Sequence, residues 1–407
     1  MFINDGLQML SSGHVQWTSR ADSNLLLLSL RNVDDVVAFC AQYEFEDVIA
    51  SSAEVDMAAP DSLQGVELSR KAYKLARRLT GSRRLASSIA PRLTTRRLEK
   101  EYDLFLPVFS HPHQLFALSC IPDWRKRCRK AACFIAEAWD DLLPGYLLEL
   151  LAEFDHVFVN SRHVIEKVSA MIGRPCSYLP QGVDTLRFCP WPDPPQRSID
   201  VCNIGRRSQL THDKLLEAAR QGRMFYYYDT IKPAAKQVTF HVSNGAEHRF
   251  LLANLLKRSR YFIANRARAN EPEVTRGRDE IAGRFYEGVA AGAVIVGAPP
   301  DTDEFRRRFD WPDAVIPMPF DAPDVVARLA ELDRDPARLE RIRTENVANA
   351  LLKHDWVHRL RTILETVGVA PPQRMLAREE RLGRLAEQVR REGAGRPRVS
   401  QGNSSSV

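Results

Sequence analysis

The sequence predicts an α/β protein built from two Rossmann-like domains, and three observations carry that prediction. The chain has 407 residues, 44% of them apolar, more than one core needs at roughly 100–200 residues per domain. From Asp103 onward short apolar runs alternate with amphipathic ones, the pattern of βαβ units around a parallel sheet. The alternation is broken between Pro180 and Arg197 by Pro180, Pro190, Pro192, Pro194 and Pro195. Proline lacks an N–H and fixes φ, so this segment reads as an interdomain linker.

The elements follow in order. Before Asp103, Asn24–Leu30 and Glu46–Ser51 read as strands. Leu104–Phe109, Ala132–Ala136 and His156–Asn160 are short apolar runs of buried-strand type. His113–Lys130, Leu142–Phe154 and Ser161–Ile172 between them have helical spacing. After the linker the series resumes with strand Ile199–Ile204, helix Leu210–Gln221, strands Met224–Tyr228 and Val238–Val242, helix Glu247–Arg258 and strand Tyr261–Ala264. Helix Glu280–Ala291, strands Val294–Gly297 and Ala314–Met318, and helices Asp324–Leu332 and Pro336–Gly368 complete it. The expected domains are 1–185, a linker 186–198, a second domain 199–352, closing helices 353–392 and a disordered tail 393–407.

Composition narrows the class. Apolar and charged fractions of 44% and 27% are those of globular proteins. The net charge of +6 is unevenly spread. Ser69–Lys100 carries eleven bases against Glu99 alone, the tail from Pro371 is also basic, and the remainder is net acidic. Seven cysteines form no CxxC pair and no zinc-type spacing, as expected of buried thiols in a reducing compartment. No signal peptide and no apolar run of about 20 residues is evident. The expectation is a cytoplasmic protein.

Two segments carry chemistry. Asp200–Ser208 is a strand ending in Gly205, with Arg206 and Arg207 behind it. Open α/β sheets bind ligands at strand carboxyl ends, where glycine admits close approach and arginine grips phosphate oxygens. The same element also occurs as an ordinary surface turn. The second segment is Glu273–Gly297. With a helix starting near Asp279 as N-cap, Glu280, Arg284 and Glu287 share one face, and Ile281, Phe285 and Val289 another. Its N-terminus would offer N–H groups to an anion. A solvated salt-bridge ladder would look similar. The long charged loop 266–278 and the glycines at 283, 288 and 292 favour a binding site. In the first half, His111, Glu137 and Asp140 follow strands on one sheet edge. A loop histidine serves structure as readily as chemistry.

Asn160–Phe188 resembles the domain junction of retaining GT-B glycosyltransferases of the group 1 (family 4-like) type. The matching residues are Asn160, Ser161, Pro180, Gly182, Val183, Asp184 and Phe188. Gly205-Arg206 is similar to that family's strand end, Arg284–Gly297 to its donor helix and strand, and His354–Leu364 to the closing helix of its spore-maturation-protein-like branch. The resemblance spans about Asp103 to Val367. It implies two domains facing across a cleft, with C-terminal helices closing back on the first, and a nucleotide-diphosphate sugar as donor substrate with no separate cofactor or metal.

By position, the resemblance gives Glu287 the nucleotide ribose and Arg206 the diphosphate. The family's donor-sugar glutamate stands as Asp279 here, with Glu280 adjacent. Thr211 replaces a diphosphate-binding lysine, with His212 and Lys214 nearby and Arg284 as the substitute charge. His111 takes an acceptor-side position, and the family's N-terminal glycine-rich loop has no counterpart beyond Gly6 and Gly13. The implied reaction is transfer of a glycosyl group to a glycan or lipid-linked acceptor. Tyr73, Leu75, Leu79, Leu85 and Ile89 are interleaved with bases in 69–100, as in an interfacial helix that would meet an anionic membrane surface and attach peripherally to the inner leaflet. A solvated helix pair with basic faces, or a groove for an anionic polymer, would show the same pattern. No nucleic-acid motif accompanies the basic stretch, so no nucleic-acid partner is expected. The alternatives are a sugar-nucleotide 2-epimerase and a non-catalytic nucleotide-sugar-binding homologue.

Overall fold

A computed structural model of the chain describes residues 17–60, 66–81, 97–139, 149–230 and 240–395. Its described residues pack into two compact units. One draws on Met1–Asp184, Lys232–Leu251 and Trp356–Glu379, the other on Thr185–Ile231, Leu252–Asp355 and Glu380–Val407. Each is built on a parallel sheet.

In the first unit the strands are β1 (Leu25–Leu28), β2 (Val55–Ala58), β3 (Tyr102–Phe105), β4 (Val108–Phe109), β5 (Cys128–Ile135), β6 (His156–Val159) and β7 (Cys176–Tyr178). Their order is β2-β1-β3-β5-β6-β7, with β4 also pairing β5. All these pairings are parallel. The apolar run 104–109 divides into β3 and β4 around Pro107, which has no N–H for the ladder. All four leucines of β1 are buried, as a strand covered on both faces requires.

Three expectations fail. Glu46–Ser51 is no strand but the end of helix Cys40–Ser52, whose apolar residues Phe45, Val48 and Ile49 recur at helical spacing. His113–Lys130 is no single helix. Around Pro122 the chain forms a 3₁₀ segment, Pro112–Cys120, and one turn, Trp124–Arg127, before β5 begins. Pro336–Gly368 divides at His354–Asp355 into helices Pro336–Lys353 and Trp356–Val367. The second returns to the first unit, where Trp356 stacks on Phe45 with centroids 4.6 Å apart. Residues 142–148 of the expected helix 142–154, Asp140, residues 238–239 and the tail from 396 lie outside the described residues. Of Val238–Val242, His241 forms a single antiparallel bridge with Val36.

The second unit carries β8 (Ile199–Asn203), β9 (Tyr226–Tyr228), β10 (Ser259–Ile263), β11 (Val294–Gly297) and β12 (Ile316–Pro317), in the order β12-β11-β10-β8-β9 and parallel throughout. Helix Gly283–Ala290 packs tightly on this sheet at Gly288. A Cβ there would lie 2.2 Å from Ile295 Cδ1 and 2.7 Å from Phe262 Cδ1, and both of those residues are fully buried. Gly288→Ala is therefore expected to destabilise by about 1–3 kcal/mol through overpacking, read as a lowered denaturant midpoint.

Six of the seven cysteines are buried and Cys176 is half-buried. Burial pushes the thiols up, to about 11 at Cys40, Cys120 and Cys189 and about 12 at Cys128, Cys176 and Cys202. An unfolded thiol ionises near 9, so the unfolded chain releases protons that the fold retains. The thiols' contribution to stability is whole below pH 9 and lost as pH rises through the folded values. Melting curves from pH 7 to 11 should show the fall, with thiol reagents reacting slowly at pH 8.

Candidate donor-binding site

In the second unit the chain leaves β8 at Asn203 and turns at Gly205. Its φ of +81° is the left-handed region that glycine tolerates. The Gly205 N–H donates to Asp229 Oδ2 over 3.1 Å. Asp229, just past β9, also binds Arg207, whose guanidinium donates to the Asp229 carbonyl at 2.7 Å and lies 5.5 Å from the Tyr228 ring centroid. Arg207 therefore braces the turn. Arg206 points elsewhere, donating from Nε to Glu271 Oε1 over 3.0 Å with its side chain 43% exposed. Glu271 in turn accepts from Arg268 at 2.9 Å.

Helix Gly283–Ala290 brings the second group. It begins three residues beyond Glu280, with Ala282 as N-cap and no side-chain cap. This corrects the expected start: Asp279 is not the N-cap, and Glu280 does not share a helical face with Glu287. The reason is local. Asp279 Oδ1 pairs with Arg266 Nε at 3.1 Å, and Asp279 Oδ2 accepts from the Asp301 N–H at 3.2 Å. Asp279 thus ties together the loops that follow β10 and β11, and the Glu280 carbonyl accepts from the Ala267 N–H at 2.9 Å. Both residues therefore lie in the loop before the helix.

Arg284 and Glu287 do share the helix face. Arg284 donates to Glu287 Oε2 over 2.7 Å, and Glu287 is only 5% exposed. The same guanidinium lies 3.7 Å from where a Cβ on Gly205 would stand, which places it against the Gly205 turn. Among the described residues no atom lies within 4 Å of a Cβ placed on Gly283, and the uncapped first turn opens onto that space. Gly205, Arg284 and Glu287 are thus brought together at the carboxyl edge of the sheet, where α/β proteins bind anions. Of the three helix glycines, Gly288 serves packing and Gly292 (φ +65°) ends the helix.

Thr211, at the expected lysine position, is buried. It donates to the Phe320 carbonyl at 2.8 Å and accepts from the Ala322 N–H at 2.9 Å. His212 is buried against the Tyr226 hydroxyl at 2.9 Å, and burial lowers its pKa. Lys214 pairs with Glu217 at 3.4 Å.

His111 belongs to the first unit. It caps the 3₁₀ segment, its Nδ1 accepting from the His113 N–H at 3.2 Å, and its ring stacks on His113 with centroids 4.7 Å apart. Gln114 links this turn to Asp34, donating to its Oδ2 at 2.8 Å. Burial raises the Asp34 carboxyl above its ordinary value. Glu137 accepts from Trp139 Nε1 at 3.1 Å. Sequence reading missed Asp34, Asp229 and Glu271. Asp229 had a signal, standing directly after an apolar strand. Glu271 lies in the charged loop 266–278 that the sequence marks, though nothing there singles it out, and Asp34 had no signal because its contact with Gln114 is distant in sequence.

Residues 243–365 match the model of a glycosyl transferase-like family. No curated protein matches the chain. Among solved structures it is similar to a glycosyltransferase from Rickettsia africae ESF-5, at 10% identity and TM-score 0.46, over 86% of this chain and 98% of that one. It is also similar to Anabaena Alr3699/HepE in complex with UDP-glucose, at 13% identity and TM-score 0.45, over 84% and 99%. A glycotransferase of kitacinnamycin shows 12% identity and TM-score 0.37, over 86% and 100%.

Proposed function

We propose that this chain, glycosyl transferase-like over residues 243–365, moves a sugar from a nucleotide-diphosphate donor to a glycan or lipid-linked acceptor. The observation that carries the reading is the pairing of Arg284 with buried Glu287 beside the Gly205 turn, partly inside the matched segment. In this reading Glu287 accepts from the ribose hydroxyls. Arg284, Arg206 and the first turn of helix Gly283–Ala290 stabilise the charge that develops on the leaving diphosphate. Preorganised donors of this kind act without reorganising as the bond breaks. Asp279 and Glu280 face the donor sugar, and His111 serves the acceptor side. Transfer proceeds with retention and without a metal, as in the spore-maturation-like branch.

For localisation we propose the cytoplasm, with peripheral attachment to a membrane. No helix among the described residues is long and apolar enough to cross one. Helix Val66–Thr80 exposes Leu75 and Leu79, at 59% and 76%, beside the exposed Arg78, which supports interfacial contact. The remainder of the basic stretch, 82–96, lies outside the described residues.

One observation favours a second reading. Both oxygens of the Asp279 carboxylate are engaged, with Arg266 and the Asp301 N–H, as suits a protein that binds nucleotide sugar without turnover. Incubation with a panel of nucleotide sugars, with and without glycan acceptors, separates the readings. Transfer supports the transferase, binding without turnover the second reading, and isomerisation without acceptor an epimerase. In an active protein Arg206→Ala should slow transfer more than about tenfold, and a change within twofold removes Arg206 from the site.

A further inference from the structure

The proline-rich segment does more than connect. Trp191, Pro194, Pro195 and Arg197 from that segment, with Arg260, Glu340 and Arg343, line a pocket of about 300 Å³ within the second unit. It lies at the opposite edge of the sheet from the donor site. Arg197 stands two residues before β8 and Arg260 one residue into β10, whereas Gly205 follows the end of β8. A five-residue strand separates these edges by about 16 Å.

The three guanidiniums are held differently. Arg260 is satisfied by Asp200 at 2.9 Å and Asp333 at 2.5 Å. Arg197 donates to the carbonyls of Ser259 at 2.6 Å and Ala291 at 3.0 Å, and these bonds fix its guanidinium at the pocket. Arg343 is the anomaly. Its side chain is only 16% exposed, its Nε has no hydrogen-bond partner among the described residues, and its Glu340 contact is a loose 3.5 Å. Burial, and with it the neighbouring Arg260, lowers the Arg343 pKa. A buried guanidinium N–H without a partner is the uncommon state of such a group. A planar fork of donors beside other cations fits a tetrahedral oxyanion. Glu340 is 34% exposed and can swing into water as the anion enters, while Trp191, Pro194 and Pro195 provide a rigid apolar wall.

The geometry points to a second ligand site on this unit, at Arg197, Arg260 and Arg343, that binds a phosphate or phosphate monoester and is separate from the donor site. It stands whether or not the chain is a transferase. The test is calorimetric titration of the full-length protein with inorganic phosphate at constant ionic strength, repeated with glucose 1-phosphate. Phosphate should bind wild type, and Arg284→Ala should remove only what the donor edge contributes while the pocket's binding persists, because Arg284 belongs to the other edge. Arg343→Gln should weaken binding by about tenfold, and Glu340→Gln should tighten it severalfold by removing the competing carboxylate. Tighter binding of glucose 1-phosphate assigns the apolar wall to a sugar ring, and equal affinity assigns the site to free phosphate.

No heat with wild type overturns the site, as does binding lost in Arg284→Ala but kept in Arg343→Gln. Glu340→Gln binding no tighter than wild type overturns it too. Glu340→Gln changes a partly exposed residue, so it carries the test if Arg343→Gln fails to fold.

Discussion

Glu44→Ala is expected to destabilise the protein by about 3–5 kcal/mol, because it removes one member of a buried ion pair and leaves the charge of the other. Glu44 and Arg249 are both inside the first unit, with side chains 0% and 3% exposed. Arg249 donates to both Glu44 oxygens, at 2.9 and 3.1 Å. The same carboxylate accepts from the Asp184 N–H at 2.8 Å and from Trp356 Nε1 at 3.3 Å. One side chain thus holds three segments far apart in sequence. The chain leaves the first unit after Asp184 and after Leu251 and re-enters it at Trp356, so all three partners stand close to its exits and entries. Denaturant unfolding of Glu44→Ala, Arg249→Met and the double variant measures the effect. The double variant should be more stable than Glu44→Ala, since it removes both charges of the pair. A loss below about 1 kcal/mol in Glu44→Ala would show the pair to be incidental.

The second large effect concerns the donor edge. On the proposed transferase reading, Arg284→Ala is expected to lower kcat by about 10²–10³-fold, the usual cost of removing one preorganised donor from developing negative charge. Arg284 also holds the buried Glu287 at 2.7 Å, so its loss should raise KM for the nucleotide sugar as well. Arg284→Lys keeps the charge but not the fork and should recover kcat only partly. Steady-state kinetics with circular dichroism as a folding control makes the measurement. An Arg284→Ala enzyme within a few fold of wild type would remove the arginine from the mechanism.

Much of this edge is legible in the amino-acid sequence alone. Gly205, Arg206, Arg284 and Glu287 stand out because a strand end and an amphipathic helix leave periodic marks in the sequence. The start of that helix is not legible there. Asp279 has good N-cap chemistry, but Arg266 and the Asp301 N–H compete for its carboxylate. The helix waits for Gly283 as a result, and Glu280 falls off the face. Local propensity favours one boundary, and contacts across the sheet edge impose another. Helix Cys40–Ser52 escapes sequence reading for a related reason. The residues EDVIAS near its end look like a strand when taken apart from the helical turns before them.

By itself the sequence determined the alternation of strands and helices, the proline-rich break, the uneven charge and the glycine and arginine at the end of β8. These follow from side-chain periodicity and backbone stereochemistry, which act over a few residues. Only the tertiary structure decided which charges meet. It placed Arg284 beside Gly205, gathered Asp184, Arg249 and Trp356 around Glu44, and left the Arg343 Nε unpartnered among the described residues behind the prolines. Electrostatic and hydrogen-bond pairing acts over a few ångströms in space, between residues up to 312 positions apart in the chain, and no local pattern encodes it.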